Sequence, residues 1–224
     1  MASEMSESTE VERKFIVPAD IHVRLENVGA IPISEKEFTD VYYDTLDHTL
    51  CKRDHWLRKR SEYDRWELKY RRMGDVVLQH HARAYREVNA EKYILAILTA
   101  LPMRDIKDDV TALHELVCNG ILHVLAYIKT RRRTYKTSGR ATVVVDEMDT
   151  GFSVGEIEVL VPSGRNDETE KATEEINRLL SLLGLVQTTA AEGKVEWYLR
   201  HHKPTLYRTL VKLHVLPERS REDA

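Results

Sequence analysis

Glu10-Val-Glu-Arg-Lys-Phe-Ile-Val17 alternates charged and apolar side chains from its first residue. Residues two apart in a strand share a face, so Glu10, Glu12 and Lys14 fall on one side and Val11 and Phe15 on the other, with Arg13. The same rule, carried outward along the chain, repeats the result. His55–Arg60 puts Trp56, Arg58 and Arg60 together, and Arg65–Arg71 sets Glu67, Lys69 and Arg71 against Trp66, Leu68 and Tyr70. Arg83–Val88 aligns Arg83, Tyr85 and Glu87, and Ala126–Tyr135 aligns Lys129, Arg131 and Arg133. Thr142–Asp146 ends on Asp146, while Gly155–Val161 carries Glu156 and Glu158 opposite Ile157 and Val159. With Phe38–Asp44, these runs make about eight strands, the number that a small closed barrel requires.

Caps and helical spacing predict helices over Ala19–Val28, Glu91–Leu101, Asp108–Cys118, Glu168–Leu183, Lys194–His202 and Thr205–His214. In the fourth, Ala172, Ile176, Leu179, Leu180 and Leu183 form an apolar stripe of the kind that packs on a sheet. The fold class is therefore α+β: an eight-stranded antiparallel closed β-barrel with helices packed outside. The expected organisation is a single domain over residues 1–216 followed by a disordered tail from 217 to 224.

Composition narrows the function. The 224 residues are 42% hydrophobic and 32% charged, enough for one substantial core. Thirty-four Lys+Arg against 37 Asp+Glu leave a net charge of −3, so no global positive field gathers nucleic acid or an anionic membrane. No stretch approaches the roughly 18 apolar residues of a membrane span, and MASEMSESTE lacks the features of a signal peptide. A soluble, cytoplasmic, monomeric protein is expected. Cys51 and Cys118 are the two cysteines, and neither sits in a C-x-x-C or Cys/His spacing, which argues against a disulfide scaffold or a zinc site.

A solvated, salt-bridged sheet face explains any one of these strands. It explains the set less well, because helices need the apolar strand faces, and closure then turns the charged faces inward. Charges buried at that density persist only when paired or ligand-bound. Glu10/Glu12 and Asp146/Glu156/Glu158 supply hard oxygen ligands suited to Mg²⁺, or to Mn²⁺. Lys14, Arg58, Arg60, Lys69, Lys129 and Arg131 exceed what those acids neutralise once they hold a metal, and Arg forks match phosphate oxygens. A small polyphosphate bridged by a metal satisfies both signs. No Walker A, G-x-G-x-x-G or Ser/His/Asp pattern is present, so side chains must hold the phosphates.

Glu10-Val-Glu-Arg-Lys14 is the E-x-E-x-K signature of the CYTH superfamily, the triphosphate tunnel metalloenzymes. The chain resembles that family through further residues in the same order: Arg58-x-Arg60, Glu67-Leu-Lys69, Glu87, Lys129-Thr-Arg131, Asp146, Glu156-x-Glu158, and Lys194 in Gly-Lys-Val-Glu-Trp-Tyr-Leu199. The resemblance implies an eight-stranded antiparallel barrel around a charged tunnel. Asp54-His-Trp-Leu-Arg-Lys-Arg60 and Trp66-Glu-Leu-Lys69 are most similar to the branch that hydrolyses thiamine triphosphate to thiamine diphosphate and phosphate with Mg²⁺, a phosphoric anhydride hydrolase.

By that resemblance, Glu10, Glu12, Asp146, Glu156 and Glu158 are metal ligands or lie near the metal. Arg58, Arg60, Lys69, Arg131 and Lys194 contact phosphates, with Glu87 part of the substrate site. Lys14 works with Tyr42, and Trp56 contacts the thiamine rings. Whether Lys129 or Arg131 is the main phosphate ligand depends on strand register. Inorganic and nucleoside triphosphatases share the tunnel, so they remain alternatives. A non-catalytic polyphosphate-binding module is another, although it would not need the acidic residues. A cyclase would require a base pocket, which no segment identifies. The adjacent pairs His80-His81 and His201-His202 are not spaced as metal ligands.

Overall fold

In chain order the elements are β1 (Ser8–Phe15), α1 (Ile21–Asn27), β2 (Ile31–Asp44), β3 (His55–Arg60), β4 (Arg65–Tyr70), β5 (Arg83–Val88), α2 (Glu91–Thr99), α3 (Leu113–Cys118), β6 (His123–Lys136), β7 (Thr142–Met148), β8 (Ser153–Pro162), α4 (Asn166–Leu182), α5 (Lys194–His202) and α6 (Pro204–Lys212). They come from a computed structural model that describes residues 8–71, 83–103, 110–162, 165–185 and 191–219. The strands close into a barrel in the order β1-β5-β4-β3-β2-β6-β7-β8, with antiparallel pairing such as β1 on β8 and β3 on β4. This is the architecture that the alternation predicts, and in a closed sheet the face away from the helices is the inner one.

Two compact units divide the chain: residues 1–38, 71–87 and 129–193 in the first, and 39–70, 88–128 and 194–224 in the second. In the first, Val11, Phe15, Val143, Val145, Ile157, Val159 and Val161 pack on Ile21 and Leu25 of α1 and on Ala172, Ile176 and Leu180 of α4. Each fully buried side chain of this size contributes about 1.5–3 kcal/mol. Phe15 lies opposite Gly155 in the β1–β8 register, and a Cβ on Gly155 would stand 2.0 Å from the Phe15 ring. The ring thus occupies the place of a side chain. Gly184, at φ +66°, ends α4 in a left-handed turn closed by the Leu185 amide on the Leu180 carbonyl. In the second unit, Leu57, Trp66, Leu68 and Tyr70 pack on Ile94 and Leu98 of α2 and on Leu113 and Leu116 of α3.

Three elements differ from expectation. β2 starts at Ile31 instead of Phe38, because its first half leaves Ile31 and Ile33 exposed and so lacks the buried alternation that marks a strand in sequence. The helix expected over Asp108–Cys118 is α3, from Leu113; its first two residues lie outside the described residues. Part of the expected tail is packed: the Tyr207 hydroxyl donates to the Pro217 carbonyl at 2.9 Å, and Arg219 forms a buried bidentate pair with Glu196 at 2.7 and 3.2 Å.

Candidate functional site

On the helix-free face of the first unit, β1 presents Glu10 and Glu12, both buried, and Lys14. Register sets Glu12 directly opposite Glu158 on β8 and Lys14 opposite Glu156. Like charges facing across a strand pair destabilise it unless a cation intervenes. Lys14 supplies part of that charge through ion pairs to Glu12 and, at 3.0 Å, to Glu156. Its aliphatic stem runs past Gly193, where a Cβ would come within 3.0 Å of Lys14 Cε.

Asp146 on β7 is completely buried and takes two hydrogen bonds from Arg132, at 2.6 and 2.7 Å; the same guanidinium reaches Glu156 at 3.7 Å. Burial works against the Arg132 charge, but Asp146, then Glu156 and Glu158, outweigh it and raise its pKa above the ordinary value. Glu12 and Glu158 are directly opposed in register, Lys14 bridges Glu12 to Glu156, and Arg132 bridges Asp146 to Glu156, so these acids offer hard oxygen ligands of the kind a divalent cation takes. Asp146 is the member already committed to a guanidinium.

The second unit carries a group of opposite sign. Register pairs Asp40 with Arg60, Tyr42 with Arg58, Arg58 with Glu67 and Trp56 with Lys69. Asp40, with no solvent exposure, accepts from Arg60 Nε at 2.8 Å and Nη2 at 3.0 Å, and from Arg58 Nη1 at 3.4 Å. Its burial alone would raise its pKa. The charges of Arg58, Arg60 and Lys194 with the Arg60 hydrogen bond prevail, and hold the carboxyl well below the usual range. Glu67 is lowered in the same way: burial opposes ionisation, and Arg58, Lys69 and Arg60 overcome it.

Arg58 also donates to the Tyr42 hydroxyl at 3.3 Å. Burial raises the pKa of that phenol, so it stays protonated at neutral pH. Lys194 is buried at the start of α5. Trp56 is half-buried, its indole Nε1 donating to Asp54 at 2.8 Å. Glu87 is half-buried, opposite Ser8 at the start of β1.

Two expected residues face elsewhere. Lys129 and Arg131, 53% and 47% exposed, share the parity of Arg133 and Tyr135, the face that packs against α1, and pair with Glu37 and Glu35. Arg132 takes the inward position instead. The sequence carried a signal: Tyr135 needs a core and fixes odd positions outward, but three basic residues in succession masked which parity was buried. Asp40 carries no comparable signal, lying between Thr39 and Val41 in a run that ends on a second carboxylate, Asp44.

Among the described residues, Asp44, His48 and Cys51 place potential ligand atoms within 4.8 Å of one another. The Asp44 carboxylate already accepts from the Thr45, Leu50 and Cys51 amides at 2.7–3.0 Å, which makes it the cap of that turn. His201 stacks on Trp197, and His80-His81 lies outside the described residues. No helix among the described residues is long and apolar enough to cross a membrane.

Fold and side chains together define a closed antiparallel barrel bearing a carboxylate cluster and a guanidinium cluster on its helix-free strand faces. The CYTH domain matches residues 8–193, and the chain belongs to that family. It is 33% identical to human thiamine-triphosphatase over 223 residues, 95% of this chain and 94% of the human protein, and 33% identical to the Macaca fascicularis thiamine-triphosphatase over 220 residues, 94% and 92% of the two chains. Among solved structures, a conserved hypothetical protein of Pyrococcus furiosus superposes with a TM-score of 0.56 at 21% identity, covering 84% of this chain and 98% of that one. A Hippeastrum protein described as having a dominant triphosphatase activity superposes with a TM-score of 0.53 at 16% identity, covering 90% and 95%. These two share the fold.

Proposed function

We propose that the chain hydrolyses thiamine triphosphate to thiamine diphosphate and phosphate. The observation that carries the reading is that strands of one closed barrel carry both chemistries. Buried carboxylates on β1 and β8 suit a hard cation, and guanidinium forks on β3, already shaped around a carboxylate, suit phosphate. The thiamine-triphosphatases that match nearly the whole chain support it.

Glu10, Glu12, Glu156 and Glu158 would hold Mg²⁺, which screens phosphate charge and polarises the scissile bond. Arg58, Arg60, Lys69 and Lys194 bind and orient the phosphates. Because Asp40 and Glu67 hold the two arginines in place beforehand, little reorganisation accompanies charge build-up on the leaving diphosphate. Arg132 balances Asp146 and Glu156. Tyr42, protonated, acts as a hydrogen-bond donor, and Lys14 balances Glu12 and Glu156. Trp56 stacks on the thiazolium, a contact worth about 0.5–2 kcal/mol.

Two variants test the reading on two substrates. Arg58→Ala should depress hydrolysis of both thiamine triphosphate and inorganic triphosphate, since both present phosphates. Trp56→Ala should raise the KM for thiamine triphosphate about two- to thirty-fold and leave inorganic triphosphate far less affected. Equal effects of Trp56→Ala on both would remove the thiamine assignment and leave a general triphosphatase.

A further inference from the structure

We propose that Asp54 is a specificity-determining residue. By locking and polarising the Trp56 indole, it makes the ring select triphosphates that carry a cationic aromatic group. The proposal rests on the thiamine triphosphate reading and deepens it.

Asp54 follows the 3-10 turn Cys51–Arg53 and sits in the left-handed region, at φ 59° and ψ 38°. A non-glycine residue stays there only where its surroundings hold it, and Asp is among those that tolerate the region. Here the surroundings are explicit. The Asp54 amide donates to the Cys51 carbonyl at 3.0 Å, the His55 amide donates to the Leu50 carbonyl at 3.0 Å, and the buried Asp44 carboxylate ties down the Leu50 and Cys51 amides. The turn therefore delivers the Asp54 carboxylate to a fixed point, 2.8 Å from Trp56 Nε1.

Trp56 belongs to the strand face of Arg58 and Arg60 and stands opposite Lys69. An indole has one donor and no acceptor. With that donor spent on Asp54, the ring meets a ligand through its π surface. A hydrogen bond to an ionised acceptor is the strong kind, and it draws the N–H proton toward the carboxylate and leaves more electron density on the ring. The face of such a ring attracts cations. A thiazolium gains from it directly; a neutral purine gains only stacking, and inorganic triphosphate gains nothing. Asp54 touches no substrate atom in this scheme and is a positioning residue.

The test is steady-state kinetics of the full chain with thiamine triphosphate and inorganic triphosphate in the presence of Mg²⁺. Asp54→Gly keeps the backbone conformation and removes the acceptor. Asp54→Asn keeps both the backbone and an acceptor oxygen but removes the charge. The expected result is a KM for thiamine triphosphate raised about two- to thirty-fold in Asp54→Gly and less in Asp54→Asn, with kcat little changed and inorganic triphosphate little affected. In a Trp56→Ala background, Asp54→Gly should add nothing. Equal loss on both substrates, or the same loss with Trp56 absent, overturns the proposal. If Trp56→Ala discriminates between the substrates and Asp54→Gly does not, the Asp54 proposal alone fails. If Trp56→Ala does not discriminate, the thiamine reading fails and takes the proposal with it.

Discussion

Replacing Arg132 with Met strips the counter-charge from Asp146, a carboxylate with no solvent exposure. Two charge-assisted hydrogen bonds at 2.6 and 2.7 Å are lost, as is the 3.7 Å approach to Glu156. Bonds to charged groups contribute about 1.5–3 kcal/mol each, and removing one partner of a buried pair costs about 3–5 kcal/mol because the other charge remains desolvated. Against a typical domain stability of about 5–15 kcal/mol, that is a large fraction. Urea unfolding followed by circular dichroism should show the loss as a lower midpoint at unchanged slope. The double change Arg132→Met with Asp146→Leu should recover most of it, since apolar residues of similar volume replace buried ion pairs with little or no penalty. Arg131→Met, one position away but facing outward, should leave the midpoint where it was. If Arg131→Met proves as costly as Arg132→Met, or if Arg132→Met is tolerated, the inward placement of Arg132 is wrong.

Two further outcomes follow from the same geometry. Asp40 has a folded pKa below its ordinary 3.8, so its charge contributes stability in full above that value, and the contribution is lost as pH falls through the lower folded value. The stability gap between the wild type and Asp40→Asn should therefore be level from about pH 8 to 5 and close only in stronger acid; a gap that shrinks as pH rises contradicts the assignment. Gly155→Ala forces a methyl into the Phe15 ring and should destabilise by about 1–3 kcal/mol or more by thermal unfolding, so a neutral result would mean that the ring is not seated on β8.

Much of this arrangement was legible from alternation alone. β3, β4 and β5 run where the charge pattern places them, and Arg58, Arg60, Glu67 and Lys69 share the expected face, because β3 turns Leu57, and β4 turns Trp66, Leu68 and Tyr70, toward α2 and α3. β6 resisted for a physical reason. Ala126, Ile128 and Thr130 are buried on even positions while Tyr135 is buried on an odd one, so the strand buries both faces at different points and its periodicity reverses. Burial on two faces erases the period-2 signal that fixes register. The opening of β2 was invisible for the opposite reason, since a strand exposed on both faces carries no pattern at all. Asp40 could be found only by asking what holds two adjacent arginines in a buried place, a question that sequence spacing does not pose.

Release of inorganic phosphate by the purified full chain, measured with Mg²⁺ on thiamine triphosphate, ATP and inorganic triphosphate side by side and repeated with EDTA, goes most directly to the function. Mg²⁺-dependent release should be greatest with thiamine triphosphate, in terms of kcat/KM, and should vanish with EDTA. Absence of release from every triphosphate would contradict catalysis at these carboxylate and guanidinium clusters, and a preference for ATP or inorganic triphosphate would contradict the role given to Trp56.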